Sequence, residues 1–348
     1  MPSSYDRAIR NRSRPDSRSH SKRPHLDLSG IARIAAYGVL LLLAAKVSLA
    51  AWDAVSQRRA EIHAGAATSE SGLQPVPIPR GGQGSWTDAT LLAAVKKAVS
   101  PSVGTAGIYI KSLNTGASAA DGEDIVLPTA SLFKLPILIE LLRQQSLGMS
   151  DMSTVVHLQQ RHWSDGSGVL QSQIGKDFQV HELVDYMIRI SDNVAALALL
   201  DLVGTDNVNL TLQANGLEKT RLRIGDSSRD WGGPAGVNTT TAREMGLLLE
   251  KLATGKILNE RFTREAIRLL STEQQVSWLP ALLPPGVRVA HKSGELPGMR
   301  HDAGIIYGAR SQFVAVVLTA DLGNLDEAAQ SIARVAKVAY DYLETGKR

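Results

Sequence analysis

Thr129-Ala130-Ser131-Leu132-Phe133-Lys134-Leu135-Pro136-Ile137-Leu138-Ile139-Glu140-Leu141-Leu142 is the stretch that decides the fold. An apolar run of this length behind a polar threshold predicts a buried helix over 131–145, and a three-residue spacing puts Ser131 and Lys134 on one face of it. A serine hydroxyl is a poor nucleophile until a neighbour takes its proton, and a lysine amine does so only when burial or a nearby cation pulls its pKa down. An apolar helix supplies the burial. Pro136 cannot donate a backbone N–H, so the helix either starts late or kinks there. The spacing alone decides little, because Ser19-His20-Ser21-Lys22 repeats it in a polar tail with no apolar run behind it.

Working outward, the 348 residues can hold one large domain or two small ones. Residues 1–23 carry seven basic side chains against two aspartates, a net of about +5 where the whole chain is +4, so the remainder is near −1. A nucleic-acid-binding domain would carry its positive charge on the folded part, and that function is excluded. The absence of cysteine excludes disulfides, thiolate catalysis and cysteine-ligated zinc. Residues 1–30 read as a basic, disordered cytoplasmic tail. Residues 31–52 turn apolar, with the basic side upstream, and are expected to be a membrane anchor that puts everything after Trp52 outside the cytoplasm. Lys46 shortens the apolar core to signal-peptide length, and Ser48-Leu49-Ala50 would serve as a cleavage site, so a secreted form is the alternative. Residues 53–86 are a Pro/Gly-rich stalk.

Residues 87–348 form the domain. A helix is expected over 88–100, strands over 107–113 and from 117, helices over 180–190, 193–203, 241–253 and 260–270, strands over 287–293, 304–307 and 313–319, and a last helix over 325–343. Strands first, helices in the middle and strands last give an α+β class: an antiparallel sheet flanked by helices, closed by both ends of the domain, with a mainly helical lobe and a cleft between them.

Two later triplets add to Ser131 and Lys134. Ser191-Asp192-Asn193 stands where one helical pattern stops and the next begins, and an N-cap accounts for it as well as chemistry does. Lys292-Ser293-Gly294 closes a strand ahead of an expected turn, Glu295-Leu296-Pro297-Gly298, and a strand end needs no other explanation. Taken in order, however, the three motifs resemble those of the class A β-lactamases and the related penicillin-binding proteins, over roughly residues 88–348. The run Glu182–Ile190 and the Asn238-Thr239-Thr240-Thr241 helix entry are similar to that family too.

The resemblance implies that Ser131 attacks the carbonyl of a β-lactam or a D-alanyl peptide, with Lys134 receiving or relaying its proton. It implies an oxyanion hole from the backbone N–H groups of Ser131 and Glu295, and proton delivery to the leaving nitrogen by Ser191 with help from Lys292. Asn193 would bind the substrate side-chain amide, and Ser293 beside Gly294 would hold its carboxylate with Arg300. No metal or cofactor is implied, and the domain would act as a monomer. In class A β-lactamases a loop glutamate activates the deacylating water, but the stretch Thr220–Asn238 contains none. Counting from Thr220-Arg221-Leu222, its position falls on Asp226 and its companion's on Asp230, and both can equally be turn residues. Asp226 is one methylene shorter than glutamate.

The expected function is therefore serine hydrolysis of β-lactams through a Ser131 acyl-enzyme. The alternatives are a penicillin-binding D-alanyl peptidase or slow acyl-enzyme trap, and a non-catalytic cell-wall-binding or sensor module. Without a Gly-x-Ser-x-Gly elbow, a Ser-His-Asp hydrolase has no sequence anchor. His291 is expected to point away from Lys292 on its strand, and His301-Asp302 to belong to a turn.

Overall fold

The computed structural model describes residues 85–223, 237–272, 274–321 and 323–345. The expected tail, the membrane segment, all but the last two residues of the stalk, and Asp226 and Asp230 lie outside them. Among the described residues no helix is long and apolar enough to cross a membrane.

The chain opens with a short strand β1 (Trp86–Thr87), helix α1 (Ala89–Ala98), and strands β2 (Thr105–Ser112), β3 (Ala117–Asp121) and β4 (Leu127–Pro128). A 3-10 turn (Ala130–Phe133) leads into helix α2 (Lys134–Ser146). Strands β5 (Val155–His157) and β6 (Asp177–Gln179) and helices α3 (Val180–Arg189), α4 (Asn193–Val203) and α5 (Thr205–Ala214) follow. Strand β7 (Thr239–Thr240) precedes α6 (Ala242–Ala253) and α7 (Glu260–Leu270), and β8 (Arg288–Leu296), β9 (Met299–Tyr307), β10 (Gln312–Ala320) and α8 (Leu325–Thr345) close the chain. The main sheet has the order β1-β3-β2-β10-β9-β8, antiparallel except for β1 beside β3. An early and a late strand of the domain meet at the centre of the sheet, where β2 lies against β10.

Strand β10 shows why the sheet is covered on both faces. Val314, Val316 and Leu318 join a core with α2, α3, α4 and α6, whereas Phe313, Ala315 and Val317 join a second core with Leu91 and Val95 of α1 and Ile332 and Val335 of α8. Alternate side chains go to opposite faces, so burial on both gives an unbroken apolar run. Polar signals set the helix starts: Asp88 accepts from the N–H groups of Thr90 and Leu91, Asp192 from Ala195, Thr241 from Glu244, and Gln179 with Glu182 forms a capping box.

Three expectations change. Ser131 sits on the 3-10 turn and the α-helix begins at Lys134, so Pro136 occupies its first turn, where a missing N–H costs nothing. Glu295 and Leu296 continue β8, and the turn shrinks to Pro297-Gly298, with Gly298 at φ 74°. His301 and Asp302 are fully buried inside β9 rather than in a turn.

Candidate active site

Lys134 is buried at the point where α2, the α3–α4 junction and β8 converge, and its amine touches three of the sequence motifs' residues. Nζ lies 3.3 Å from Ser131 Oγ, 2.9 Å from Ser191 Oγ, 2.5 Å from the Ser191 carbonyl and 2.9 Å from Asn193 Oδ1. Burial first, and then the charge of Lys292, hold this amine well below its ordinary value, against the pull of Asp192. A neutral amine keeps a lone pair, and the hydroxyls of Ser131 and Ser191 are both in reach of it. Lys292 is also fully buried, bonded to Gln274 Oε1 at 3.4 Å and the Ser293 carbonyl at 3.0 Å. Burial pushes it down to about 8, with Asp302 opposing.

The backbone is unusual at the same place. Ala130 and Ser191, both non-glycine, have φ of 44° and 56°, in the left-handed region that costs about 1–3 kcal/mol for such residues. Neighbouring structure holds them there. Thr129 N donates to Asn238 O at 2.8 Å, and β4 pairs with β7 beside it. The buried His301 ring fixes the carbonyl of Pro128, with Nε2 2.9 Å from its oxygen, while Nδ1 lies 2.8 Å from the Arg300 carbonyl and 3.1 Å from Thr319 N. Burial lowers the pKa of the ring, against the contacts with the carbonyls of Arg300 and Pro128. On the far side, Asp192 does two jobs. Its Oδ1 caps α4 through Ala195 N at 2.9 Å, and its Oδ2 takes the N–H groups of Val169 and Leu170 at 2.6 and 3.0 Å. Burial raises its carboxyl above the usual range even so. The loop it grips folds over the site, with Asn193 Nδ2 on Asp165 O at 2.9 Å and Asn193 N on Ser167 O at 3.0 Å. Gly168, at φ 112°, has no room for a side chain, since a Cβ would lie 2.1 Å from Asp192 Oδ2.

Gly294 explains the third motif. A Cβ there would stand 3.1 Å from both Ala130 Cβ and Ser131 N and 3.3 Å from Thr129 O, so the glycine lets β8 approach the backbone of the turn that carries Ser131. Together these residues border a cleft of about 780 Å³ lined by Ser131, Ser191, Asn193, Lys292, Ser293 and Glu295. Arg300 is placed differently from the expectation. Its guanidinium pairs with the Glu295 carboxylate and lies 5.3 Å over the Trp278 ring, so it is committed beside the cleft instead of lining it. Register explains this, because Glu295 and Arg300 face each other across the β8–β9 hairpin. Ser293 Oγ donates to Val276 O at 2.8 Å, which leaves the hydroxyl its lone pairs but not its proton. Sequence reasoning passed over Arg189, Arg223 and the loop 165–169, which all line the cleft. The loop's signal was Ser164-Asp165-Gly166-Ser167-Gly168, a turn composition facing no obvious partner.

The sequence model of the β-lactamase enzyme family, Beta-lactamase2, matches residues 90–343. The chain belongs to this family. Among solved structures, this β-lactamase-family chain is similar to PBP-A, with 28% identity, a TM-score of 0.69, and 76% of this chain and 99% of that one covered. A leucine-to-glutamate variant of PBP-A, solved as an acyl-enzyme complex with penicillin G, matches at 28% identity and a TM-score of 0.68 over 78% of this chain and 100% of that one. A β-lactamase from Sphaerobacter thermophilus DSM 20745 matches at 27% identity and a TM-score of 0.67, over 73% and 97%.

Proposed function

We propose that the domain is a serine hydrolase that opens β-lactam rings through an acyl-enzyme on Ser131. The observation that carries this reading is the amine of Lys134, buried and drawn toward neutrality, between the hydroxyls of Ser131 and Ser191 at 3.3 and 2.9 Å. Ser131 Oγ attacks the lactam carbonyl and its proton passes to Lys134. The tetrahedral oxyanion is held by the backbone N–H groups of Ser131 and Glu295, an arrangement that the close approach at Gly294 supports. Each such donor is worth about a hundred- to a thousand-fold in rate. Lys134 returns the proton through Ser191 Oγ to the leaving nitrogen as the C–N bond breaks, leaving the ester on Ser131 and Lys134 neutral. Asn193 offers the substrate amide a polar partner. The substrate carboxylate is met by Lys292 with the cleft-lining Arg189 and Arg223, and by Ser293 once its hydroxyl turns from the Val276 carbonyl, the place first expected of Arg300.

A second reading rests on a specific observation: no glutamate lies between Thr220 and Asn238. In that case the same acylating site serves a penicillin-binding D-alanyl peptidase or a slow trap, and the similarity to PBP-A, one form of which carries penicillin G as an acyl-enzyme, supports it. A non-catalytic wall-binding module has no chemical need for Ser131, Lys134, Ser191, Asn193 and Lys292 together. We place the domain outside the cytoplasm, in the periplasm or at the cell surface, as a monomer tethered by residues 31–52; protease treatment of spheroplasts that spares it while digesting a known external protein would refute that placement.

The test is intact-mass measurement of the full-length chain through a time course with penicillin G, beside Ser131→Ala. A Ser131-dependent adduct that vanishes as hydrolysed drug accumulates supports the lactamase. An adduct that persists gives the trap the lead, and no adduct ends both. Asp226→Asn then asks whether this aspartate positions the deacylating water: a release rate equal to the parent's removes it from the mechanism.

A further inference from the structure

A second serine, on the sheet face away from Lys134, has the neighbours that activate a nucleophile. Ser277 Oγ is 3.1 Å from His291 Nε2, and His291 Nδ1 is 2.8 Å from Asp302 Oδ1. Asp302 Oδ2 accepts the backbone N–H groups of Trp278 and Leu279 at 3.0 and 2.9 Å, which fixes the carboxylate. His291 and Asp302 are 3% and 0% exposed, while Ser277 is half-buried. Gly304, opposite His291 on β9, leaves room for the histidine, since a Cβ there would lie 2.5 Å from His291 Cβ. No Gly-x-Ser-x-Gly elbow announces this serine. It lies in Val276-Ser277-Trp278; the pairing of β8 with β9 brings His291 beside Asp302, and the bonds from Trp278 and Leu279 to Asp302 bring Ser277 to them.

The chemistry of such a set depends on order and orientation. A carboxylate bonded to Nδ1 fixes the tautomer with its lone pair on Nε2, and that lone pair faces the serine proton. Burial raises the Asp302 carboxyl, but its contacts with His291 and the two N–H groups outweigh that, so it is held below the usual range. If the cluster served only to strap residues 277–279 to the sheet, the two bonds from Trp278 and Leu279 to Asp302 would suffice, and a hydroxyl aimed at Nε2 would add nothing to it. Ser277 also borders a cleft of about 690 Å³, with a polar lining of Ser271, Thr272, Gln274 and Arg288. An open cleft beside an oriented hydroxyl admits a small electrophile.

We propose that Ser277, His291 and Asp302 form a second acyl-accepting site, independent of Ser131, for small polar esters. Ser277 Oγ attacks the ester carbonyl carbon and gives its proton to His291 Nε2. The C–O bond to the alcohol breaks, and the departing oxygen takes that proton from His291. Water then repeats the sequence on the acyl-serine and releases the acid. Ser277 and His291 touch the substrate, and Asp302 acts by positioning the ring.

The test uses an alkyl fluorophosphonate, in which the serine oxygen bonds phosphorus and fluoride leaves, on the full-length Ser131→Ala chain. Peptide mapping is expected to place the phosphonyl group on Ser277, at a rate at least about 100-fold above that of the exposed Ser102 in the same molecule, the usual gain from a positioned base. Adding Ser277→Ala removes the adduct, and adding His291→Gln lowers labelling toward the Ser102 rate. Absence of a Ser277 adduct, or labelling of Ser277 no faster than Ser102, overturns the proposal. The internal comparison needs no second variant, so a poorly folded His291→Gln protein does not shelter it.

Discussion

Replacing Lys292 by arginine chiefly changes one property, the pH at which the side chain loses its charge. Burial lowers the lysine from an ordinary 10.5 to about 8, whereas a guanidinium stays charged throughout the accessible range. The charge at 292 is the second cause of Lys134's lowered pKa, after burial, and on the proposed mechanism it also helps Ser191 deliver a proton. Above pH 8 the charged fraction of Lys292 falls to about a tenth at pH 9 and a hundredth at pH 10, so acylation should decline about ten-fold per pH unit there. The low-pH limb belongs to Lys134, which must be neutral to act. Stopped-flow acylation by a chromogenic cephalosporin from pH 5 to 10 reads both limbs. Lys292→Arg should lose the high limb even if its absolute rate drops, and Lys292→Met should shift the low limb upward, because the like charge beside Lys134 is gone. A fall centred near pH 8 that survives in Lys292→Arg would refute the reasoning. Stability gives an independent check with a fixed sign. Because the folded pKa is depressed, the unfolded chain binds more protons between pH 8 and 10.5, so the contribution of Lys292 to stability improves as pH rises through that window and its full penalty is present below it. The gap corresponds to about 3 kcal/mol. The stability of the parent relative to Lys292→Met should therefore rise from pH 8 to 10.

Gly294→Ala should slow acylation about 100-fold with the fold retained, because the atoms a Cβ would meet include the backbone of the nucleophile turn, and a displacement of about 1 Å there costs that much; a rate within three-fold of the parent would dismiss the close-approach account. Asp192→Ala leaves the N–H groups of Val169, Leu170 and Ala195 without their carboxylate and should cost about 2–4 kcal/mol in denaturant titrations, with faster proteolysis in 165–170. Glu244 accepts from the N–H groups of Glu218, Lys219 and Thr220 and from Thr220 Oγ1, so Glu244→Gln turns an amide NH₂ toward donors and should lower stability by about 2 kcal/mol, seen as a reduced melting temperature.

The elements legible in the sequence are those whose signals are local. Asn193–Val203 follows a capping residue and an apolar block, and its helix has those bounds. The cap and the motif, weighed as alternatives at Ser191-Asp192-Asn193, turn out to be one device: one oxygen of Asp192 caps the helix and the other grips the loop across the site. Helix α5, Thr205–Ala214, escaped notice because it buries only Val208 and Leu212, too thin a stripe for periodicity to register. His301 and Asp302 looked like turn residues because their partners, Pro128, Thr319, His291 and the 278–279 backbone, are remote in sequence. A buried polar side chain in a strand reads locally as a break. Arg300 was sought at the cleft by motif, where hairpin register would have paired it with Glu295.

The unfavourable terms at the centre of this molecule form one set. Two buried amines, a carboxyl raised by burial and two left-handed residues stand at a junction where the surrounding cores are otherwise apolar and closed. Each would be relieved by a simpler residue, and on the proposed reaction each relief would take away a proton acceptor, a charge that keeps that acceptor neutral, or the placement of a hydroxyl. On the proposed reaction, the proton that Lys134 receives in acylation has reached the leaving nitrogen by the time the ester forms. The acyl-enzyme therefore starts with a neutral amine about 3.3 Å from the ester oxygen. The missing loop glutamate then does not leave the ester without a base. What it removes is a group to hold water at the ester, so the lifetime of the adduct reports the placing of that water and not the strength of the base.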